Sequence, residues 1–395
     1  MRVLFTSQPG FGHWHPLVPV AQALEEAGHE VAFATLPKFS STIAAGGFRA
    51  FPAGADETAE ELKERKAKQV SLEQFEQARF MWTDVFAGTR AESSMPDLMA
   101  IAQEWQPDLI VRDMIEFGGY IVAESLQLPH AAFHVAAFRP QLHMAIRPQI
   151  SHLRASAGLP PDPNLDTLYR YLLLSPFPPS FQDPAAPFPP TTHAIRHIGF
   201  NSSTGEQLPD WVRDLPEQPT VYVTLGTVFN KMKNIWQAVL EGLAGEPINL
   251  ILTIGHDGDP AEFGPQPANV HIERYIPQSL LLPYCNLVIT HGGSGTTKDA
   301  LTHGLPMVII PVAADQYANA ARSAALGVAR VVPSDMRTPE AIRAAAREVL
   351  GNSLYRQNAE RLRDEIAALP GMEYAVSLLE QLALERRPML AARDE

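Results

Sequence analysis

His13 and His15 lie in the run Gly10-Phe11-Gly12-His13-Trp14-His15-Pro16, directly behind the short apolar stretch at 3–6. A histidine at the end of a strand can take a proton from a substrate near neutral pH. The same position also suits a surface or capping histidine. A base of this kind is usually oriented by a carboxylate. Asp113 closes the apolar run PDLIVRD (107–113), whereas Asp108 stands at its opposite end. Asp113 fits that orienting role and equally fits a helix cap. A second cluster is THGGSGTT (290–297), a strand end that runs through glycines into a helix. Free N–H groups at such a helix start, with its partial positive charge, form an anion site, most often for phosphate. His291 stands beside these glycines. Asp315 and Gln316 follow the next apolar run and suit vicinal hydroxyls.

Parallel strands must position these groups. The N-terminal stretch reads strand (3–6), loop (7–15), helix from Pro16 capped by Gly28, then strand (30–35). Residues 56–106 are polar and helix-prone, followed by a strand at 107–113, a helix near 117–127 and AAFHVAAF at 131–138. The segment 175–190 holds seven prolines and reads as an extended tract. The domain junction is expected after it, near 201–218. The second half repeats the rhythm, with strands at 220–226, 248–255, 287–290, 307–312 and 328–333. Thr338-Pro339 starts a helix, and two helices split at Pro370-Gly371 end the chain. Two open α/β domains place ligand sites at the carboxyl ends of their strands, with the cleft between them as the expected active site.

Composition narrows the function. At ~150 residues per domain, 395 residues predict two domains. A hydrophobic share of 46% with 19% charged residues is globular. The net charge of −13 opposes nucleic-acid binding. The single cysteine, Cys285, rules out an internal disulfide or a cysteine-built zinc site. His15 occupies the place of the third glycine of a dinucleotide fingerprint, and no acid ends the second strand, which argues against NAD or FAD. No apolar run is long enough to span a membrane and no secretion signal is evident, so a cytoplasmic protein is expected.

GFGHWHP, ERYIPQ, HGGSGT and AADQYANA, in this order and spacing, resemble glycosyltransferase family one over nearly the whole chain. The resemblance implies a GT-B fold, with two Rossmann-like parallel-sheet domains facing each other across a cleft. It further implies an acceptor domain at 1–208, a nucleotide-sugar domain at 209–370, and a helical segment at 371–395 that returns to the first domain. Closure over the donor is expected from such an architecture. His13 then matches the family's general base and Asp113 its partner, with His15 beside the acceptor. His291 matches the phosphate-contacting histidine, and the backbone of Gly293, Ser294, Gly295 and Thr296 would hold the diphosphate. Thr227 matches a hydroxyl residue near the phosphates. Tyr275 would stack on the base, where tryptophan is frequent, Ile276 would bond the base through its backbone, and Gln278 lies on the ribose side. Asp315 and Gln316 match the pair that holds the donor sugar. Asp299 stands where UDP-sugar enzymes of the family carry an acid, usually a longer glutamate, that bonds both ribose hydroxyls. It points to UDP over dTDP.

The resemblance implies an inverting, metal-independent transfer from a nucleotide sugar to a hydroxyl of a small, partly apolar acceptor such as a secondary metabolite. No cofactor and no metal are expected. Trp14, Phe80, Trp82, Phe117, Phe138 and His143 are candidates to line the acceptor site, and any of them also suits a core. Asp257-Gly258-Asp259 spells a metal-associated pattern but lies in a Gly/Pro-rich loop and reads as a solvated turn. Two other readings stand beside transfer: an epimerase of the same fold, and a nonenzymatic partner of another transferase. A monomer or homodimer is expected.

Overall fold

A computed structural model describes residues 1–199, 207–227 and 229–391. Residues 201–206 of the expected junction lie outside the described residues. The chain forms two units, one from 1–176, 184–196 and 370–395, the other from 177–183 and 197–369.

The first unit holds strands β1 (Arg2–Thr6), β2 (Glu30–Thr35), β3 (Arg49–Pro52), β4 (Leu109–Asp113), β5 (His130–Phe133), β6 (Leu172–Ser175) and β7 (Thr192–Ala194). All pair in parallel, in the order β3-β2-β1-β4-β5-β6-β7. The second unit holds β8 (Thr220–Thr224), β9 (Asn249–Thr253), β10 (Val270–Glu273), β11 (Leu287–Thr290), β12 (Met307–Ile309) and β13 (Ala329–Val331). They too are parallel, in the order β10-β9-β8-β11-β12-β13.

These strands read as unbroken apolar runs because both faces are covered. In β8, Val221 and Val223 enter one core with Leu250, Leu252 and Ile289, whereas Tyr222 enters another with Ile251, Val288 and Met307. Successive side chains thus serve opposite faces. In each sheet the chain order reverses at one place, between β1 and β4 and between β8 and β11. Loops diverge there and leave a crevice at the carboxyl ends of the strands.

β3, β6, β7 and β10 have no counterpart in the sequence reading. Each is three or four residues long, and β3, β7 and β10 end their sheets. β6 and β7 flank the proline tract, whose composition hides them. That tract also changes units. Phe177 and Phe181 stack at 4.8 Å within the core of the second unit. The second unit resumes at His197, ahead of the boundary expected at 208/209, because no composition change accompanies the passage. The chain's end belongs to the first unit. The helix Met372–Glu385 packs on the helix Val18–Glu26, and Arg196 N donates to Pro370 O at 2.7 Å.

Candidate active site

The register of the first sheet sets its half of the site. Thr6 pairs with Arg112, so the chain leaves β1 beside Asp113 at the end of β4. Gly10, at φ +150°, turns the loop into the short helix Phe11–Trp14, and its carbonyl accepts from the N–H of His13 and of Trp14. This aims His13 Nδ1 at Asp113 Oδ2, 2.6 Å away. Asp113 is fully buried, and Ile115 N donates to its other oxygen at 3.0 Å. A carboxylate held from behind fixes the imidazole, and its Nε2 is left for a substrate. The His13 side chain keeps 26% of its surface open.

Residues 81–90 form a wide-turned helix broken at Gly88, an irregularity common at functional sites. It carries Phe86, whose ring centroid lies 6.4 Å from that of His13. Arg90, at its end, donates to Gln8 Oε1 at 3.0 Å, and Gln8 Nε2 donates to Ile115 O. Burial, partly offset by Glu57, draws the Arg90 guanidinium down to about 10. Phe86, Arg90 and Gln8 are not among the site candidates of the sequence reading. Only the place of Gln8 directly behind a strand could have signalled one of them.

The acceptor candidates divide. Trp82, Phe138 and His143 gather with Tyr169 and Phe188: the Trp82–His143 and Phe138–His143 centroids lie at 4.9 and 4.5 Å, and Phe138–Phe188 at 4.9 Å. His143 Nε2 lies 2.6 Å from the Tyr169 hydroxyl, and burial lowers this imidazole to about 4. Phe117 has no exposed surface, its ring centroid 6.5 Å from that of Trp82, so it does not line an open site; Trp82 and His143 are also buried, and of the gathered candidates Phe138 keeps part of its surface open. Trp14 is also core, wedged so that a Cβ at Gly46 would come 2.8 Å from its ring. Phe80 stands apart, under the Lys68 ammonium at 4.3 Å. His15 rests against the Phe11 and Trp14 rings, and burial lowers it to about 4.

In the second unit, Gly293 caps the helix Ser294–Thr302 without a side-chain bond, which leaves the first N–H groups of Ser294, Gly295 and Thr296 for an anion. His291 is clamped between Gly226 and Gly293. A Cβ at either would come 2.7 or 2.6 Å from its ring, and Gly226 also needs φ +67°. Burial lowers His291 to about 4, so it is a neutral imidazole at pH 7 rather than a fixed charge. Ser294 Oγ donates to Asp315 Oδ2 at 2.7 Å, and Asn319 Nδ2 reaches Gly292 O, Ser294 Oγ and Asp315 Oδ2. Gln316 is buried, and its Oε1 accepts from Val312 N and Ala313 N. It shapes the loop, and Asp315 is the member of the pair with open surface.

Tyr275 is 38% exposed and stacks on His256 at 4.6 Å. Ile276 is buried, and Thr227 is exposed. Gln278 Nε2 donates to Asp299 Oδ2 at 2.6 Å, and His197 Nε2 lies 2.6 Å from Asp299 Oδ1. His197 carries no sequence signal. Asp259 caps its own turn by accepting from Ala261 N, as a solvated turn requires. Among the described residues, no group of three His, Cys, Asp or Glu side chains is placed to hold a metal ion, and no helix is long and apolar enough to cross a membrane.

Comparison with known proteins covers both units. A family profile described as erythromycin biosynthesis protein CIII-like, N-terminal domain, matches residues 22–226, and its C-terminal counterpart matches 238–382. The chain belongs to the erythromycin biosynthesis protein CIII-like family. This member is 30% identical to 4'-demethylrebeccamycin synthase of Lentzea aerocolonigenes, over 96% of this chain and 99% of that one. It is likewise 30% identical to 10-deoxymethynolide desosaminyltransferase of Streptomyces venezuelae, over the full length of both. The crystal structure of glycosyltransferase VinC in complex with dTDP superposes with a TM-score of 0.77 at 26% identity, covering 98% of this chain and 100% of that chain. The fold is GT-B, and this CIII-like protein is a glycosyltransferase of natural products.

Proposed function

We propose that this enzyme transfers a sugar from a dTDP-sugar to a hydroxyl of a small, partly apolar natural product, with inversion at the anomeric carbon and without a metal. The observation that carries the reading is the 2.6 Å contact between His13 Nδ1 and buried Asp113. His13 Nε2 takes the proton of the acceptor hydroxyl, and Asp113 stabilises the imidazolium. The acceptor oxygen forms its bond to the anomeric carbon as the bond to the diphosphate oxygen breaks. The departing diphosphate is received by the N–H groups of Ser294, Gly295 and Thr296 and by neutral His291. One displacement turns an α-linked donor into a β-glycoside.

The sequence expectation leaned to UDP through Asp299. The dTDP complex of VinC supports the thymidine nucleotide instead. Phe138 and Phe188, the partly open members of an aromatic group whose Trp82, His143 and Tyr169 are buried, support a flat or apolar acceptor. Incubation with dTDP- and UDP-sugars and a pool of polyketide and aromatic aglycones, with and without EDTA, tests this by mass spectrometry. The expected result is a glycoside formed with EDTA present and lost in His13→Ala, its anomeric coupling inverted relative to the donor. Retention of configuration, or loss of product with EDTA, would overturn the mechanism.

A further inference from the structure

Within the first unit, a chain of hydrogen bonds runs from the helix at 81–90 to the carboxylate behind His13. Arg90 Nη1 donates to Gln8 Oε1, Gln8 Nε2 donates to Ile115 O, and Ile115 N donates to Asp113 Oδ1, each at 3.0 Å. Gln8 is buried, so water does not replace either of its side-chain bonds. Its amide donates at one end and accepts at the other, and Arg90 fixes which end is which. Glu57 does not account for the cation at this place. Arg90 Nη2 lies 3.9 Å from that carboxylate, which Arg65 already grips through Nε and Nη2 at 2.5 and 3.1 Å. A half-buried guanidinium without a close carboxylate costs stability. The same helix carries Trp82 in the aromatic group and Phe86 near His13, and the Arg90 guanidinium stands 5.5 Å from the Phe86 ring. One element therefore reaches from the aromatic group to the support of His13.

We propose that Arg90 is a positioning residue: through Gln8 and Ile115 it fixes the Asp113 carboxylate and so the direction of His13 Nε2. Without the guanidinium, Gln8 Oε1 is left buried and unpaired, and the amide turns toward another partner. Ile115 O then loses its donor, and the turn that holds Asp113 Oδ1 loosens. The inference rests on reading His13 as a base oriented by Asp113, and the test separates the two. Proton NMR of the full chain, isotope-labelled on its histidines, needs no substrate. A proton held between His13 Nδ1 and a buried carboxylate gives a low-field resonance that exchanges slowly with water. His13→Ala assigns it.

The expected result is that this proton exchanges about tenfold faster in Arg90→Met and in Gln8→Met, the equivalent of one buried hydrogen bond. The double variant should be no faster than either single one, because both break the same chain. Arg90→Lys keeps a donor and should recover part of the protection. The ring resonances of His130 and His193, buried elsewhere in the same unit, should stay unchanged, which a general loosening of the unit would not allow. Unchanged exchange in both single variants, additive effects in the double variant, or equal disturbance at His130 and His193 overturns the positioning role. Absence of any resonance that His13→Ala removes overturns the pairing of His13 with Asp113 itself. Gln8→Met breaks the chain at its next link, so the proposal stays testable if Arg90→Met does not fold.

Discussion

At the scale of residues, the role proposed for His13 rests on what stands behind it. With Nδ1 engaged by buried Asp113, the ring is held in the tautomer whose Nε2 can accept a proton. Replacing His13 with alanine should lower kcat by about 10²–10⁴ while leaving nucleotide affinity unchanged, measured by steady-state kinetics and calorimetry. A matching fall in nucleotide affinity would place His13 in donor binding instead. His291 works differently. Its burial keeps it neutral until the pH approaches about 4, so the role proposed for it is that of an N–H dipole. His291→Ala should cost about 10² in kcat. A His291→Gln variant should keep the wild-type shape of the activity profile between about pH 5 and 8, since no charge on residue 291 changes there. A titration step that disappears with the imidazole would show that the charged form takes part.

At the scale of elements, the helix Ser294–Thr302 combines an anion site at its start with a buried ammonium in its body. Lys298 is 1% exposed, its Nζ has no hydrogen-bond partner among the described residues, and the Phe177 ring lies 5.1 Å away. Burial draws it down to about 8, with Asp299 and Asp315 working against that fall. A cation whose folded value is depressed penalises the fold below that value. The penalty fades as pH rises from 8 toward the unfolded value of 10.5, because the folded state releases its proton first. Lys298→Met should therefore be more stable than the wild type by about 2 kcal/mol near pH 7. Denaturant titration at rising pH should show that gain shrinking. A constant gain would point to packing rather than charge. The β8–β11 crevice is equally exacting. Gly226→Ala meets both a positive φ and the His291 ring, and should lose at least about 1 kcal/mol together with nucleotide affinity.

At the scale of the whole molecule, acid should act unevenly on the two units. Burial lowers His15, His130, His143 and His291 to about 4. The unfolded chain takes up these protons near 6.5, so stability falls as pH drops from 6.5 to 4. Glu116, raised by burial, offsets part of this. Three of these four histidines belong to the first unit, where burial also lowers His193, against His197 and His271 lowered in the second. Hydrogen exchange at about pH 5 should therefore show the first sheet losing protection before the second. The opposite order would mean that these rings are not what limits the fold in acid. The long parallel strands and the glycine turns could be read from the sequence, because an apolar run between a loop and a helix is a local pattern, and the expected meeting of His13 with Asp113 follows from two such strand ends lying side by side. Short edge strands such as β3 and β10 could not, since pairing on one side demands little of four residues. Nor could the tract at 177–183 be assigned to the second unit, because its two phenylalanines find their core only after the chain has folded. By itself the sequence determined the doubly wound sheets and the types of groups at their strand ends. Tertiary structure decided which groups meet: Arg90 with Gln8, Gln316 with its own loop, and His197 with Asp299, 102 positions apart. A hydrogen bond between distant segments depends on where the backbone brings them, and no local pattern carries that information.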